Sequence, residues 1–185
     1  MSSELWDGSV GIRRVQTGDA AALYEATRES MQELVARMRW CERDFALENS
    51  VAWLSFTESA WTKGDSYNFA IIEGRAGRMA GSIWISRVDP KHGMANLGYW
   101  VRTSCAGRGI ATAAGRLIAR FAFDEIDLNR LEIVVAAGNA ASQRVAEKLG
   151  ARFEGLLRQR LRLADGVKDA LMFGLLAQDF KRSNG

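Results

Sequence analysis

The sequence predicts an α/β (α+β) fold: a mixed, mostly antiparallel central sheet of about seven strands with helices on both faces. Three observations carry that expectation. Hydrophobic spacing is helical across residues 17–61 and becomes β-rich across residues 67–101. An aromatic strand, Leu-Gly-Tyr-Trp-Val at 97–101, runs through a glycine turn, Ala-Gly-Arg-Gly at 106–109, into a stretch rich in Ala, Leu and Ile. A buried apolar run at 131–136 follows that stretch, which makes a strand–helix–strand crossover.

Residues 10–15 read as the first strand. Thr17 or Asp19 can then cap a helix, or a bent pair, reaching about Met38, with Leu23, Met31 and Leu34 broadly on one face. A second helix spans about residues 44–61 and stops at Lys-Gly-Asp, 63–65. Residues 67–73 and 79–86 form strands joined by a hairpin signal, Gly-Arg-Ala-Gly at 74–77; a third, 94–101, follows the turn at 89–93. These three are expected to be consecutive and antiparallel. A helix over about 108–123 places Leu117, Ile118 and Phe121 at helical spacing. Asn139 caps a further helix that Gly150 stops, and residues 153–163 and 167–176 close the chain as a hairpin around Ala-Asp-Gly.

Composition bounds the function classes. With 185 residues and 48% hydrophobic content, one domain over residues 1–185 is expected; order is least expected in about residues 1–8 and in 181–185. A net charge of +3 with acids and bases interspersed offers no dense basic stripe, so direct nucleic-acid binding is not expected. A mild positive bias suits an anionic small ligand. Cys41 and Cys105 match neither a disulfide framework nor a zinc spacing, and no other metal motif is seen. No secretory signal or membrane-length apolar run is present, so the expected compartment is the cytoplasm.

The glycine turn is the sharpest chemical feature. A strand, turn and helix start leave unpaired N–H groups around one hollow, where the helix dipole favours a phosphate. Gly107 and Gly109 let the backbone approach a ligand and take positive φ; Thr112 can add a hydroxyl. Arg102, Arg108 and Arg116 either screen phosphate charge or are simply solvated. Of Tyr99 and Trp100, strand alternation sends one into the core.

Five stretches together resemble the GCN5-related N-acetyltransferase (GNAT) superfamily, in its ribosomal-protein N-terminal (Rim-type) branch. They are residues 96–101, 107–112, 121–125, 129–133 and 139–151. The resemblance covers nearly the whole chain and implies that acetyl-CoA is the acyl-donor substrate. Its diphosphate would lie on the amides of Ala106, Gly107, Arg108, Gly109, Ile110 and Ala111, with Thr112 beside them. Its pantetheine would enter a splay between strands 4 and 5, against Leu97, Tyr99, Trp100 and Val101, with Asn139 and Ser142 on the far wall. A backbone N–H near Trp100 or Val101 would stabilise the oxyanion, worth a factor of roughly 100 to 1000.

Three departures from the family pattern shape the expected chemistry. Asn96 stands where relatives carry a glutamate base, and an amide cannot act as a base, so it serves as an acceptor-side polar group. Ala146 stands where many relatives have an acidic tyrosine, which leaves Ser142, or water, as the general acid. Ala106 replaces a Gln or Arg. Remaining base candidates are Glu73, Asp89 and His92, of which His92 reads as a surface residue; an amine that loses its proton to water needs none. Trp40, Trp53 and Trp61 would wall the acceptor side, or pack in the core.

The implied activity is direct acetyl transfer, in a ternary complex, to a primary amine: a protein N-terminal α-amino group, as on a ribosomal protein. Acetylation of a small-molecule or peptide-antibiotic amine and a noncatalytic acyl-CoA-binding module are the alternatives. The expected state is a monomer or homodimer, with no membrane partner.

Overall fold

The computed structural model describes residues 1–74 and 77–184, with side chains described through residue 180. Eight strands form one sheet: β1 (Glu4–Asp7), β2 (Val10–Arg14), β3 (Ser66–Glu73), β4 (Arg78–Asp89), β5 (Met94–Val101), β6 (Arg130–Ala136), β7 (Arg152–Leu163) and β8 (Gly166–Leu176). Their spatial order is β1-β2-β3-β4-β5-β6-β8-β7, and every neighbouring pair is antiparallel except β5–β6. The helices are α1 (Ala20–Glu29), α2 (Met31–Arg37), α3 (Leu47–Lys63), α4 (Ile110–Arg120), α5 (Ala140–Lys148) and α6 (Ala177–Asn184).

Strand alternation divides the core into two layers. On one face Phe69 and Ile71 of β3 meet Leu117 and Ile118 of α4. Phe121 stacks edge-on with Phe69 and Tyr67, and Trp61 closes the aromatic cluster. On the other face Ala70 and Ile72 meet Leu23 of α1, Leu34 of α2 and Leu54 of α3. The expected helical face of Leu117, Ile118 and Phe121 is fully buried.

Several expectations need correction. The described residues form eight strands, one more than expected, because residues 4–7 pair with β2 as an edge strand, with the Trp6 indole lying over Gly11. The backbone of residues 177–184 is helical, and Gly185 lies outside the described residues. So does the centre of the 74–77 turn, although the strands on either side of it pair as expected. The first helical stretch is the bent pair, α1 and α2, breaking at Ser30. Asp19 does not cap α1: its carboxylate turns back to accept from the Gln16 N–H (2.8 Å) and from Arg13 (2.6 and 2.8 Å). The ion pair holds β2 against the start of the helical layer.

Ser30 breaks the helix for a tertiary reason. Its hydroxyl accepts the Thr103 N–H (3.0 Å), while Glu29 accepts the Ser104 N–H (2.9 Å) and the Arg102 guanidinium (2.5 Å). Glu25 takes the other side of Arg102 at 2.6 Å. Arg102 is therefore a clamp between α1 and the segment leading to the glycine turn. These hydrogen bonds, first those from Ser104 and then that from Arg102, lower the Glu29 pKa from its ordinary value to about 2. A depressed carboxylate stabilises the fold above its unfolded pKa and loses that contribution as pH falls toward the folded value. We expect Glu29→Gln to lower the thermal midpoint at pH 7, and the gap between variant and parent to close between about pH 4.5 and pH 2. Calorimetric melts across that range check it.

Candidate functional site

The parallel pair β5–β6 is joined over only three rungs, Met94↔Arg130, Ala95↔Leu131 and Asn96↔Glu132. Beyond Asn96 the strands part, although β5 stays paired with β4 to Val101 and β6 with β8 to Ala136. Both strands line the resulting open cleft of about 830 Å³, a volume ordinary for a cofactor-sized ligand. The splay expected between the fourth and fifth strands is this gap between β5 and β6, renumbered by the added edge strand.

Register decides which amides face it. The Arg102 N–H donates to the Ala80 carbonyl at 2.8 Å, and the β4–β5 ladder runs without a shift from there to Asn96↔Ser86. In an antiparallel ladder alternate residues point their N–H and C=O to the same neighbour. Trp100, Gly98 and Asn96 therefore bond to β4; the Asn96↔Glu132 rung takes the Leu97 N–H to β6, and Tyr99 and Val101 turn their N–H groups into the gap. Of Trp100 and Val101, between which the expected backbone donor lay, only Val101 turns its N–H into the gap. The Trp100 side chain is also committed elsewhere, buried in the α1–α3 layer with Trp40 tilted against it at 6.4 Å. Gly98 lets the Trp84 indole lie across β5, where a Cβ would overlap the ring.

The glycine turn lies at the open end of the gap. Gly107 and Gly109 have φ of 75° and 78°, the left-handed region where L side chains are strained. The first helical hydrogen bond runs from the Ala113 N–H to the Gly109 carbonyl at 3.0 Å, which leaves the N–H groups of residues 107–112 without a backbone acceptor. Ala106, Gly107, Gly109, Ile110, Ala111 and Thr112 all line the cleft. Arg108 is not among the residues that line it, and its guanidinium pairs with Glu73 at 2.5 Å. Arg102 is the clamp described above, and neither Arg102, Arg108 nor Arg116 is among the cleft-lining side chains.

On the opposite wall Asn139 caps α5, its Oδ1 accepting the Ser142 N–H (3.2 Å) and the Arg37 guanidinium (3.4 Å). Among the described residues its Nδ2 has no hydrogen-bond partner. The Tyr99 hydroxyl crosses from β5 to within 2.8 Å of the Ser142 hydroxyl. Burial pushes the Tyr99 pKa up, against the opposing effect of the Ser142 hydrogen bond, so the phenol keeps its proton at neutral pH. Ala146, one turn beyond Ser142, is fully buried. Asn96 lines the cleft at the point where the strands part.

The three base candidates lie elsewhere. Glu73 is taken up by Arg108, by Arg78 (3.9 Å) and by the Cys105 thiol (3.6 Å) near the glycine turn. Asp89 and His92 pair with each other at 2.8 Å in the exposed β4–β5 hairpin, and the hydrogen bond from His92 lowers the Asp89 pKa. Sequence reasoning missed Glu33 of α2, the one carboxylate among the described cleft-lining residues, and the Tyr99–Ser142 contact. Of the three tryptophans expected at the acceptor side, Trp61 is core, Trp53 packs at the edge of the helical layer and Trp40 covers Trp100.

Comparison with known proteins agrees with this geometry. A family model described as an acetyltransferase (GNAT) domain matches residues 9–152. The chain is 34% identical over 177 residues to a Bacillus subtilis (strain 168) protein named "Putative ribosomal N-acetyltransferase YdaF", covering 93% of each chain. It is 25% identical over 146 residues to the Escherichia coli (strain K12) ribosomal-protein-serine acetyltransferase, covering 72% of this chain and 80% of that one. Among solved structures it is similar to Mycobacterium smegmatis RimJ in complex with CoA-disulfide, at 27% identity and a TM-score of 0.85, covering 92% of this chain and 83% of that one.

Proposed function

The chain belongs to the GNAT acetyltransferase family and is an acetyl-CoA-dependent N-acetyltransferase, and from that premise we propose that its acceptor is the α-amino group at a protein N-terminus. Ribosomal proteins are the class to which its relatives' names point. The observation that carries the site assignment is the pair of inward-facing amides at Tyr99 and Val101, with Ser142 across the gap and, among the described residues, an unpaired row of amides at residues 107–112.

In this reading Val101, nearest the phosphate cradle, pairs with the pantetheine amides as a missing strand would, and Asn139 Nδ2 adds a donor from the far wall. The Tyr99 N–H, beside Ser142 and nearer Asn96 than the expected Val101 is, donates to the thioester oxygen as the amine's attack makes it negative, an interaction stronger in the transition state than in the ground state. The C–N bond forms, the C–S bond breaks, and Ser142 Oγ gives its proton to the departing sulfur. Tyr99 Oη restores the Ser142 proton, and water takes the proton shed by the acylated nitrogen and returns one to Tyr99, so that one proton passes net from nitrogen to sulfur. Asn96 accepts from the incoming amine and orients it without removing its proton.

No side-chain base is assigned, so the amine must arrive neutral. kcat/KM for a peptide acceptor is therefore expected to rise through the pKa of a free α-amine, about 7.7–8.0, and to level off above it. A profile that instead levels off two units lower would assign a base, with Glu33 the first residue to replace. The activity itself is tested by incubating the protein with acetyl-CoA and a panel of peptides and small amines. Thiol release and one added acetyl group on a peptide N-terminus support the proposal; transfer to small amines alone overturns the acceptor assignment.

A further inference from the structure

The cleft carries positive charge beyond what its donor needs. Arg144 and Lys148 stand on α5, which packs against α4 where Gly115 meets Leu149, so they share a wall with the phosphate cradle. Together with the free amides of residues 107–112 and the α4 dipole they answer the donor's phosphates. Besides Arg37 of α2, whose guanidinium donates to Asn139 Oδ1, four more arginines line the cleft from other elements: Arg39 beyond α2, Arg87 on β4, and Arg160 and Arg162 on β7. Each is exposed, and among the described residues none of the four has an ion-pair partner. Ser86, next to Arg87, is the ladder partner of Asn96, so this second group flanks the acceptor end.

Backbone geometry singles out two of them. The β4–β5 ladder shifts register between Ser86 and Asp89, and Arg87 in that bulge has φ of 53°. The β7–β8 ladder shifts between Leu157 and Leu161, where Gln159 has φ of 50° and its N–H is held by Asp169 at 2.7 Å. Arg160 follows it directly. A left-handed conformation is strained for a residue with a Cβ, and bulges of this kind re-aim side chains beside functional sites. Two strained bulges, on strands at opposite sides of the gap, thus deliver arginines to one cleft.

Resting on the acyl-transfer reading above, we infer that the acceptor is an N-terminus followed within its first few residues by Asp or Glu, whose carboxylates Arg87, Arg160 and Arg162 hold while the amine passes Asn96. Arginine suits the task because its fork pairs with a carboxylate through two hydrogen bonds. Complementary charge raises the encounter rate and selects among partners, both screened by salt.

The test uses peptides with one shared first residue and positions two to six acidic, neutral or basic. At low salt kcat/KM for the acidic peptide is expected to exceed the neutral one by about tenfold and the basic one by more, with the gap shrinking at about 300 mM salt. In the triple variant Arg87→Gln, Arg160→Gln, Arg162→Gln the acidic-to-neutral ratio should fall below about twofold, with CoA affinity by calorimetry held within about twofold. Calorimetry of the same peptides against CoA-loaded protein reads binding without turnover. If the acidic peptide binds through the arginines but is not acetylated, this inference stands and the acyl-transfer reading to N-termini falls. Equal rates for acidic and neutral peptides, a preference that survives in the triple variant, or a phosphorylated small amine accepted in place of every peptide would each overturn it. A large loss of CoA affinity in the triple variant would do the same, by assigning these arginines to the donor.

Discussion

Gly109→Glu is expected to abolish acetyl-CoA binding, with no saturable heat in a titration that gives one site in the parent protein. Two effects add. Gly109 has φ of 78°, and a residue with a Cβ pays about 1–2 kcal/mol to hold that conformation. The new carboxylate would then project into the ring of free amides at residues 107–112, occupying the donors and repelling the diphosphate. Among the described residues nothing lies within 4 Å of a Cβ at this position, so the side chain itself does not disturb their packing. Gly109→Asn separates the two effects. Asparagine tolerates the left-handed region and carries no charge, so it should bind the donor with only a modest loss and melt close to the parent. Normal affinity in the glutamate variant would remove the cradle from the account.

Ser142→Ala is expected to lower kcat about a hundredfold while leaving the KM for acetyl-CoA within a few-fold, the scale of a lost general acid. The Asn139 cap survives this change because it uses the Ser142 backbone N–H, so α5 should stay in place. Tyr99→Phe keeps the ring that crosses the gap and removes only the hydroxyl 2.8 Å from Ser142. Its effect should be smaller and also in kcat. The double variant decides the relay: if Tyr99 acts through Ser142, it should be no slower than Ser142→Ala alone. Additive losses would mean two independent roles, and a Tyr99→Phe loss confined to the KM for acetyl-CoA would make the tyrosine a wall of the pantetheine channel.

What could be read from the sequence was local. The crossover, the Asn139 cap, the glycine turn and the closing hairpin all announce themselves by period or by a residue with one conformational use, and each appears where expected. Residues 4–7 carry no period of their own and become a strand only because β2 offers an edge. Ser30 ends α1 in favour of a partner 73 residues away, and Arg102 reads as a free cation until its partners on α1 are placed. The same limit applied at the site. The glycines marked the turn at the mouth of the gap, but that Val101 and not Trp100 turns its N–H into that gap needed the ladder's register, and the Tyr99–Ser142 contact spans 43 residues. The bulges that aim Arg87 and Arg160 are likewise mismatches between strands, which no single strand displays.

The most direct test of the account is residue-resolved amide hydrogen exchange with and without CoA. The gap assignment predicts that Tyr99, Val101 and residues 107–112 slow on addition of CoA. Gly98 and Trp100, already bonded to β4, should be slow in both states. Protection that falls on Gly98 and Trp100 instead, or that leaves residues 97–112 unchanged, would contradict it.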